Sequence, residues 1–401
     1  MKKNILILAI NSVGSINDGG IYSDMVKELK DKGHELTVVS HDETAKKDFI
    51  TTEEGFINIR IASGKIQKTS VIKKVLNLRK LDKKSLKRLK KIAIKFDLVV
   101  CMISHCAFYK TVKFIKKRDD VFVYNMVKDI FPQNAVDLGM MKKGGLIYRY
   151  FKHKESKYYK ISDCLGVLSD NAVEFLYKDN PALKNKIIEV NPNSCIPAEK
   201  TITEKEKKEI LQKYDIPTDK TIFLYGGNLG KPQGIDFVLE CIKQNESLQD
   251  SFFIIVGNGT EFIKIEKFFS DNKIQNSKLL HRLSGKEFEN LCMAADVGLV
   301  FLSPLFTVPN YPSRTLSYMQ VCLPIIFAVD KSCDAGMIAE KNNYGYNCIS
   351  GDTEKFFGFV ADLTKNTEKR KKMGMRAYKF MTENYSVKNS YEIIMKHLGE
   401  K

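Results

Sequence analysis

Residues 221–234 read Thr-Ile-Phe-Leu-Tyr-Gly-Gly-Asn-Leu-Gly-Lys-Pro-Gln-Gly, a β-branched and aromatic run that breaks into a glycine-rich turn. The run suits a buried strand. Gly226, Gly227, Gly230 and Gly234 let the backbone come close to a ligand with no Cβ in the way. Residues 235–242 follow with helical spacing, so the turn ends at a helix N-terminus, where unpaired N–H groups and the helix dipole favour an anion. Asn228 and Lys231 add a polar side chain and a mobile positive charge. This is chemistry for a diphosphate; the plain alternative is a strand, turn and helix with no ligand. The spacing is neither GxGxxG nor GxxxxGK[ST], which sets aside a dinucleotide fold and a P-loop kinase.

Three later segments also follow strand candidates. Gly257, Asn258 and Gly259 come first. His281, Arg282 and Leu283 form a loop suited either to flanking a flat base or to plain surface. In the third segment Pro312 takes a first-turn position, with Ser313, Arg314 and Ser317 after it. Arg314 at a helix start works against the dipole, unless it faces an anion that the dipole also holds. In the first half, Gly19 and Gly20 precede a helix candidate, while His105 and Asp129 each follow a strand candidate. Asp129 is the candidate to meet an acceptor hydroxyl, as a base. His105 is read either as catalytic or as a satisfied histidine beside the core.

The elements that would position these residues alternate. Strand candidates at 5–10, 36–40, 98–103, 121–126 and 164–168 interleave with helix candidates at 22–32, 83–95, 109–117 and 148–160. The second half repeats this with strands at 221–225, 252–256, 297–302 and 324–329, and helices near 235–243, 261–270, 285–295 and 312–321. Such alternation predicts α/β architecture with parallel sheets covered on both faces. At 401 residues two domains are expected, 1–190 and 201–384, joined by a linker at 191–200 with two prolines. Ligands of such sheets bind beyond the carboxyl ends of the strands, so the cleft between the domains is the expected site.

No apolar run approaches the roughly 18 residues of a membrane span. The nine cysteines form no CxxC pair and the six histidines no HxxxH spacing, which argues for reduced thiols and against a protein-built metal site. The charge of +17 is uneven: residues 1–190 hold 37 basic against 22 acidic residues, and residues 191–401 hold 28 against 26. Within 65–95 there are 13 basic residues and one acid, Asp82. On the expected helix 83–95, Lys83, Lys84, Lys87, Arg88, Lys90 and Lys91 suit either a solvated face or attraction to anionic lipid, about 1 kcal/mol per basic residue. Nucleic acid is not expected, because the region lacks interleaved aromatics.

The order Gly-Gly-Asn-Leu-Gly-Lys-x-Gln-Gly, Val-Gly-Asn-Gly, Ala295-Asp296-Val-Gly-Leu and Pro-Ser-Arg…Tyr-Met…Pro-Ile-Ile resembles family-4 glycosyltransferases with the GT-B fold. The similarity is greatest to bacterial capsule and O-antigen enzymes, including N-acetylfucosaminyl transferases. Gly19-Gly20, Gly33-His34, Asp129-Ile-Phe-Pro132 and Tyr385-Ser386 match further family segments, so the resemblance spans nearly the whole chain. It implies two doubly wound Rossmann-like domains, with a C-terminal helix (385–401) crossing back onto the first. It also implies retaining transfer of a sugar from a UDP-sugar, without metal or other cofactor. Gly227, Asn228, Lys231 and Arg314 would meet the diphosphate, His281–Leu283 the base, and Gly19 and Gly20 would lie near the phosphates. A lipid-linked acceptor, a polyprenyl-diphosphate saccharide, would place the protein at the cytoplasmic face of the membrane. The chain departs from the family pattern at Pro309 and Ser317, where two glutamates are common, at Cys322 for glycine and at Gln233 for lysine. An inactive sugar-nucleotide-binding scaffold and a UDP-sugar epimerase are the rival readings. Oligomeric state is not specified.

Overall fold

The computed structural model describes residues 1–52, 54–66, 69–103 and 107–399. The chain divides into two units, Met1–Ile196 with Ser386–Lys401, and Pro197–Tyr385. The first unit runs β1 (Asn4–Ala9), α1 (Ile21–Asp31), β2 (Glu35–His41), β3 (Phe49–Thr51), β4 (Ile57–Ile61), α2 (Val71–Leu89), β5 (Leu98–Ile103), α3 (Tyr109–Asp119) and β6 (Phe122–Val127). It continues with α4 (Gln133–Asp137), α5 (Leu146–Ile161), β7 (Cys164–Val167), α6 (Asp170–Asp179) and β8 (Ile187–Val190). The second runs α7 (Glu204–Lys213), β9 (Thr221–Asn228), α8 (Ile235–Asn245), β10 (Ser251–Asn258), α9 (Phe262–Asn272), β11 (Ser277–His281), α10 (Gly285–Ala294) and β12 (Val297–Phe301). After these come α11 (Arg314–Gln320), β13 (Ile325–Val329), α12 (Ala335–Lys341), β14 (Gly345–Ile349), α13 (Thr353–Lys365) and α14 (Thr367–Asn384). The last helix, α15 (Val387–Met395), belongs to the first unit.

Each unit is built on one sheet. The first has the order β3-β4-β2-β1-β5-β6-β7-β8, parallel except for the edge strand β3. The second has the order β11-β10-β9-β12-β13-β14 and is parallel throughout. Both faces of the first sheet are buried, as a period of two requires when helices cover both sides. Leu6 and Leu8 enter one core with Val99 and Val123, while Ile5 and Ile7 enter the other with Val100 and Met126. The second core is aromatic: Phe253, Phe356 and Phe357 interlock, and Phe237 packs edge-on to Phe301.

Two expectations are corrected. The basic helix expected at 83–95 is the end of a longer one, α2, which stops at Leu89. Leu89 is fully buried and Lys90 takes the C-cap, so the lysines beyond it continue the charge but not the helix. The helix expected from Pro312 begins at Arg314, with Ser313 as its N-cap.

In the first unit α15 lies beside α1 and is latched by a chain of polar contacts. Ser390 Oγ donates to Asn191 Oδ1 at 2.6 Å, and Asn191 Nδ2 donates to Tyr124 Oη at 3.1 Å. Tyr124 Oη donates to Glu189 at 3.0 Å, where His397 Nε2 (2.9 Å) and Lys396 Nζ (2.6 Å) also arrive. Burial alone would raise the Glu189 carboxyl, but the hydrogen bonds from Lys396, His397 and Tyr124 hold it below its ordinary 4.5. A depressed acid contributes its stability above its unfolded value and loses it as pH falls through the folded one. Glu189→Gln is therefore expected to lower the melting temperature by a few degrees at neutral pH. The deficit should close on acidification below about pH 4. A deficit of equal size at both pH values, read by scanning fluorimetry, would refute this account.

Candidate functional site

The second sheet reverses its strand order between β9 and β12, the topological switch point where sheets of this kind bind ligands. Pairing of β12 with β9 runs only to Leu299↔Tyr225, whereas β10 stays paired with β9 through Asn258↔Asn228. The last residues of β9 are thus open on the switch-point side. There the Gly226 N–H donates to Tyr318 Oη at 2.9 Å, and that hydroxyl lies 3.3 Å from the Leu299 carbonyl. A Cβ on Gly226 would stand 2.1 Å from the Phe288 ring, so glycine is required by packing. The same ring carries the Arg314 guanidinium, 4.3 Å from its centroid. Phe288 thereby ties Arg314 of α11 to the end of β9, a cation–π contact that offsets the unfavourable helix-start position.

Past β9 the chain does not enter α8 directly. Lys231–Gln233 form a short 3-10 turn, closed by Gly234 in the left-handed region at φ 60°. The turn is pinned by the Ser303 N–H, which donates to the Pro232 carbonyl at 2.8 Å. The side-chain amides of Asn228 and Gln233 meet at 2.8 Å, and Lys231 is exposed. The Tyr225 hydroxyl donates to the Asn228 carbonyl at 2.7 Å; burial pushes this phenol up, and the nearby Arg314 charge works against that.

Gly257 and Gly259 have a structural task. A Cβ on Gly257 would lie 2.0 Å from the Gly227 carbonyl oxygen, and one on Gly259 1.9 Å from that of Leu229. Asn258 is exposed at the end of β10. His281 ends β11 and stacks on Phe262, centroids 4.4 Å apart and 19° from parallel. The expected loop is thus partly strand; Arg282 and Leu283 follow it, and Ser317 is half-buried on α11. Gly227, Asn228, Lys231, Gly257, Asn258 and His281 lie along one carboxyl edge, with Arg314 joined to it through Phe288. Sequence reasoning gave no site role to Phe288, Tyr225 or Tyr318.

In the first unit Gly19 and Gly20 follow β1 with positive φ (72° and 102°) and open space around them. Asp129 follows β6. Burial pushes the Tyr22 phenol up to about 12, with the Asp129 charge adding to this. Burial also holds the Lys74 ammonium below its usual range, Asp129 opposing it. Tyr22 of α1 and Lys74 of α2 thus both lie within reach of the Asp129 field. His105 lies outside the described residues. The six basic residues do not share a face: Lys84 and Arg88 turn to Asp48 (2.6 and 3.4 Å) and Lys90 sits over the Phe114 ring. Lys83, Lys87 and Lys91 are exposed. Among the described residues, the grouping of His, Cys, Asp and Glu ligand atoms close enough for a metal is Cys164, Glu189 and His397, in the α15 latch.

Residues 206–380 match Glycosyl transferases group 1. Over that span the chain is similar to this family. It is 26% identical over 233 residues to the Probable glycosyltransferase WbjE of Pseudomonas aeruginosa, covering 57% of the chain and 56% of that protein. It is also 26% identical over 128 residues to the Putative colanic acid biosynthesis glycosyl transferase WcaI of Escherichia coli, covering 31% of each. The matched stretches thus span about half and about a third of these relatives' own lengths. Among solved structures, Sucrose-phosphate synthase (tll1590) of Thermosynechococcus elongatus superposes with a TM-score of 0.73 at 14% identity, covering 100% of the chain and 98% of that one. Anabaena Alr3699/HepE in complex with UDP gives 0.69 at 12%, covering 100% of both. The fold is GT-B: mixed α/β with two parallel sheets.

Gly259→Ala is expected to cost about 1–3 kcal/mol, the usual penalty for forcing an atom into a filled space. Gly285→Ala, which meets nothing within 4 Å, serves as the neutral contrast. Equal urea midpoints for the two variants would refute the backbone-packing role.

Proposed function

We propose that this protein is a glycosyltransferase that moves a sugar from a UDP-sugar to a polyprenyl-diphosphate-linked saccharide at the cytoplasmic face of a membrane, in capsule or O-antigen assembly. The observation that carries the reading is the open end of β9 at the switch point, beside Lys231 and Arg314, inside the segment that matches the family. Support for the donor comes from a neighbour of the same fold solved with UDP. The relative with colanic acid biosynthesis in its name supports a polysaccharide product. An N-acetylated deoxyhexosamine such as N-acetylfucosamine is the donor sugar suggested by the sequence resemblance.

In this proposal the transfer retains anomeric configuration. The acceptor hydroxyl attacks on the face from which the diphosphate departs, and Asp129 takes its proton. Negative charge grows on the leaving diphosphate as the anomeric bond opens, and fixed positive groups lower that barrier. Lys231, Arg314 and the turn's backbone serve this role without a metal, with Asn228 and Ser313 beside them. His281 on its Phe262 platform flanks the base. Lys83, Lys87 and Lys91 draw the first unit to anionic lipid. A sugar-nucleotide-binding protein without transfer activity is the second reading, favoured by Pro309 and Ser317 standing where the resembled family commonly has glutamates.

UDP is expected to raise the melting temperature with no divalent metal present, worth about 2.7 kcal/mol at a hundredfold excess over Kd. A shift that needs Mg²⁺ or Mn²⁺ would sink the metal-free site. Lys231→Ala and Arg314→Ala are each expected to lower turnover roughly 10²-fold. Arg314→Ala also removes packing on Phe288, so its melting temperature is to be measured alongside. Near-normal turnover in both variants would mean the diphosphate binds elsewhere. Release of UDP only when a lipid-linked acceptor is supplied distinguishes transfer from mere binding.

A further inference from the structure

We propose that the first unit carries an apolar wedge, formed by Ile72, Leu76, Met140, Leu146 and Ile147, that inserts between the lipids of an anionic bilayer. The inference rests on the membrane part of the preceding reading and adds a site to it, because charge attraction alone requires no insertion. These five side chains are 74%, 55%, 65%, 85% and 49% exposed. Scattered apolar residues on a surface are ordinary, but here position and surroundings set them apart.

Ile72 and Leu76 lie one turn apart at the start of α2, and Leu146 and Ile147 open α5. Both helices pack against α3 and meet through side chains beside its start. Arg79 Nε donates to Tyr150 Oη at 3.3 Å, with its guanidinium 5.5 Å from that ring. A turn further along α5, Lys154 lies 5.9 Å from the Tyr109 ring; a turn further along α2, Asp82 accepts from the Lys110 N–H at 2.9 Å. Advance along one helix therefore matches advance along the other, and both N-terminal ends emerge together. Met140 stands in the connection that leads into α5.

The surroundings are basic. Lys73, Lys80, Lys142, Lys143 and Arg149 are exposed around the wedge, and no acid occurs between Asp137 and Glu155. Asp82, the one acid of 65–95, is engaged in hydrogen bonds to the start of α3 through Lys110 and Thr111. A second copy of the chain would bring the same positive ring against this one, whereas an anionic bilayer offers acyl chains behind negative headgroups. Amphipathic surfaces of this kind settle about 5–10 Å into the headgroup and acyl boundary. Basic residues alone would be screened over about 8 Å at physiological salt, and only buried apolar area resists salt.

The chain contains no tryptophan, so one introduced residue reports alone. Leu146→Trp is expected to shift its emission to the blue on phosphatidylglycerol-containing vesicles and to be quenched about twofold by acyl-brominated lipid. Ile263→Trp, on an equally open position of the second unit (76% exposed), is expected to do neither. The triple variant Leu76→Ser, Leu146→Ser, Ile147→Ser should keep its melting temperature and lose about tenfold or more of the vesicle binding that survives at high salt. Water-like emission from Leu146→Trp on vesicles that sediment the protein would overturn the wedge and leave electrostatic docking standing. Failure to sediment at all would overturn both. A vesicle-free dimer that the triple variant abolishes would assign the patch to self-association and overturn the bilayer.

Discussion

At the carboxyl ends of β9 and β10 the two backbones lie closer than any side chain would permit. Gly257 rests on the Gly227 carbonyl and Gly259 on Leu229, at distances no Cβ tolerates. From this approach the rest of the edge follows. The Leu229 N–H reaches the Asn258 carbonyl at 3.1 Å, and the Glu261 N–H reaches the Leu229 carbonyl at 2.9 Å. The turn is folded down against its neighbour, and Lys231 is carried outward on a short 3-10 segment. Polar backbone groups that would otherwise be orphaned pair with one another. The glycines that let a phosphate approach a strand end also let one strand end approach another. Composition at such a turn does not separate the two uses, whereas geometry does.

What could be read from the sequence follows the same logic. Strands such as β1, β5, β9 and β13 were readable because a parallel strand buried on both faces is a continuous apolar run. The short edge strand β3, its neighbour β4 and the half-exposed β8, β11 and β14 carry mixed residues and left no such run. The end of α2 was misplaced because basic residues continue past Leu89, and charge periodicity alone does not reveal where burial stops. At the candidate site, Gly226, Lys231 and Arg314 were legible as chemistry. The ring that joins Gly226 to Arg314 was not, because Phe288 sits in an ordinary amphipathic helix and its role depends on two elements distant in sequence.

The fold is held in common with proteins at 12–14% identity, so the fold alone specifies no substrate. The chain's own particulars are local. Asp48 draws Lys84 and Arg88 inward, dividing a run that composition presents as uniform. Only part of a basic sequence is then a basic surface. The stripe left facing solvent begins in Ile72 and Leu76 and continues through Lys80, Lys83 and Lys87.

The latch of α15 has a consequence for how the molecule comes to exist. The first unit is discontinuous: its core includes Val387 and Ile394, about 190 residues beyond Ile196. Between them the ribosome must make the whole second unit, at about 5–20 residues per second. For roughly 10–40 s the nascent first sheet waits with the α15 side of α1 uncovered and with Glu189 lacking both Lys396 and His397. The second unit, contiguous in sequence, is free to finish first. In the order of birth, the domain that begins the chain is completed last.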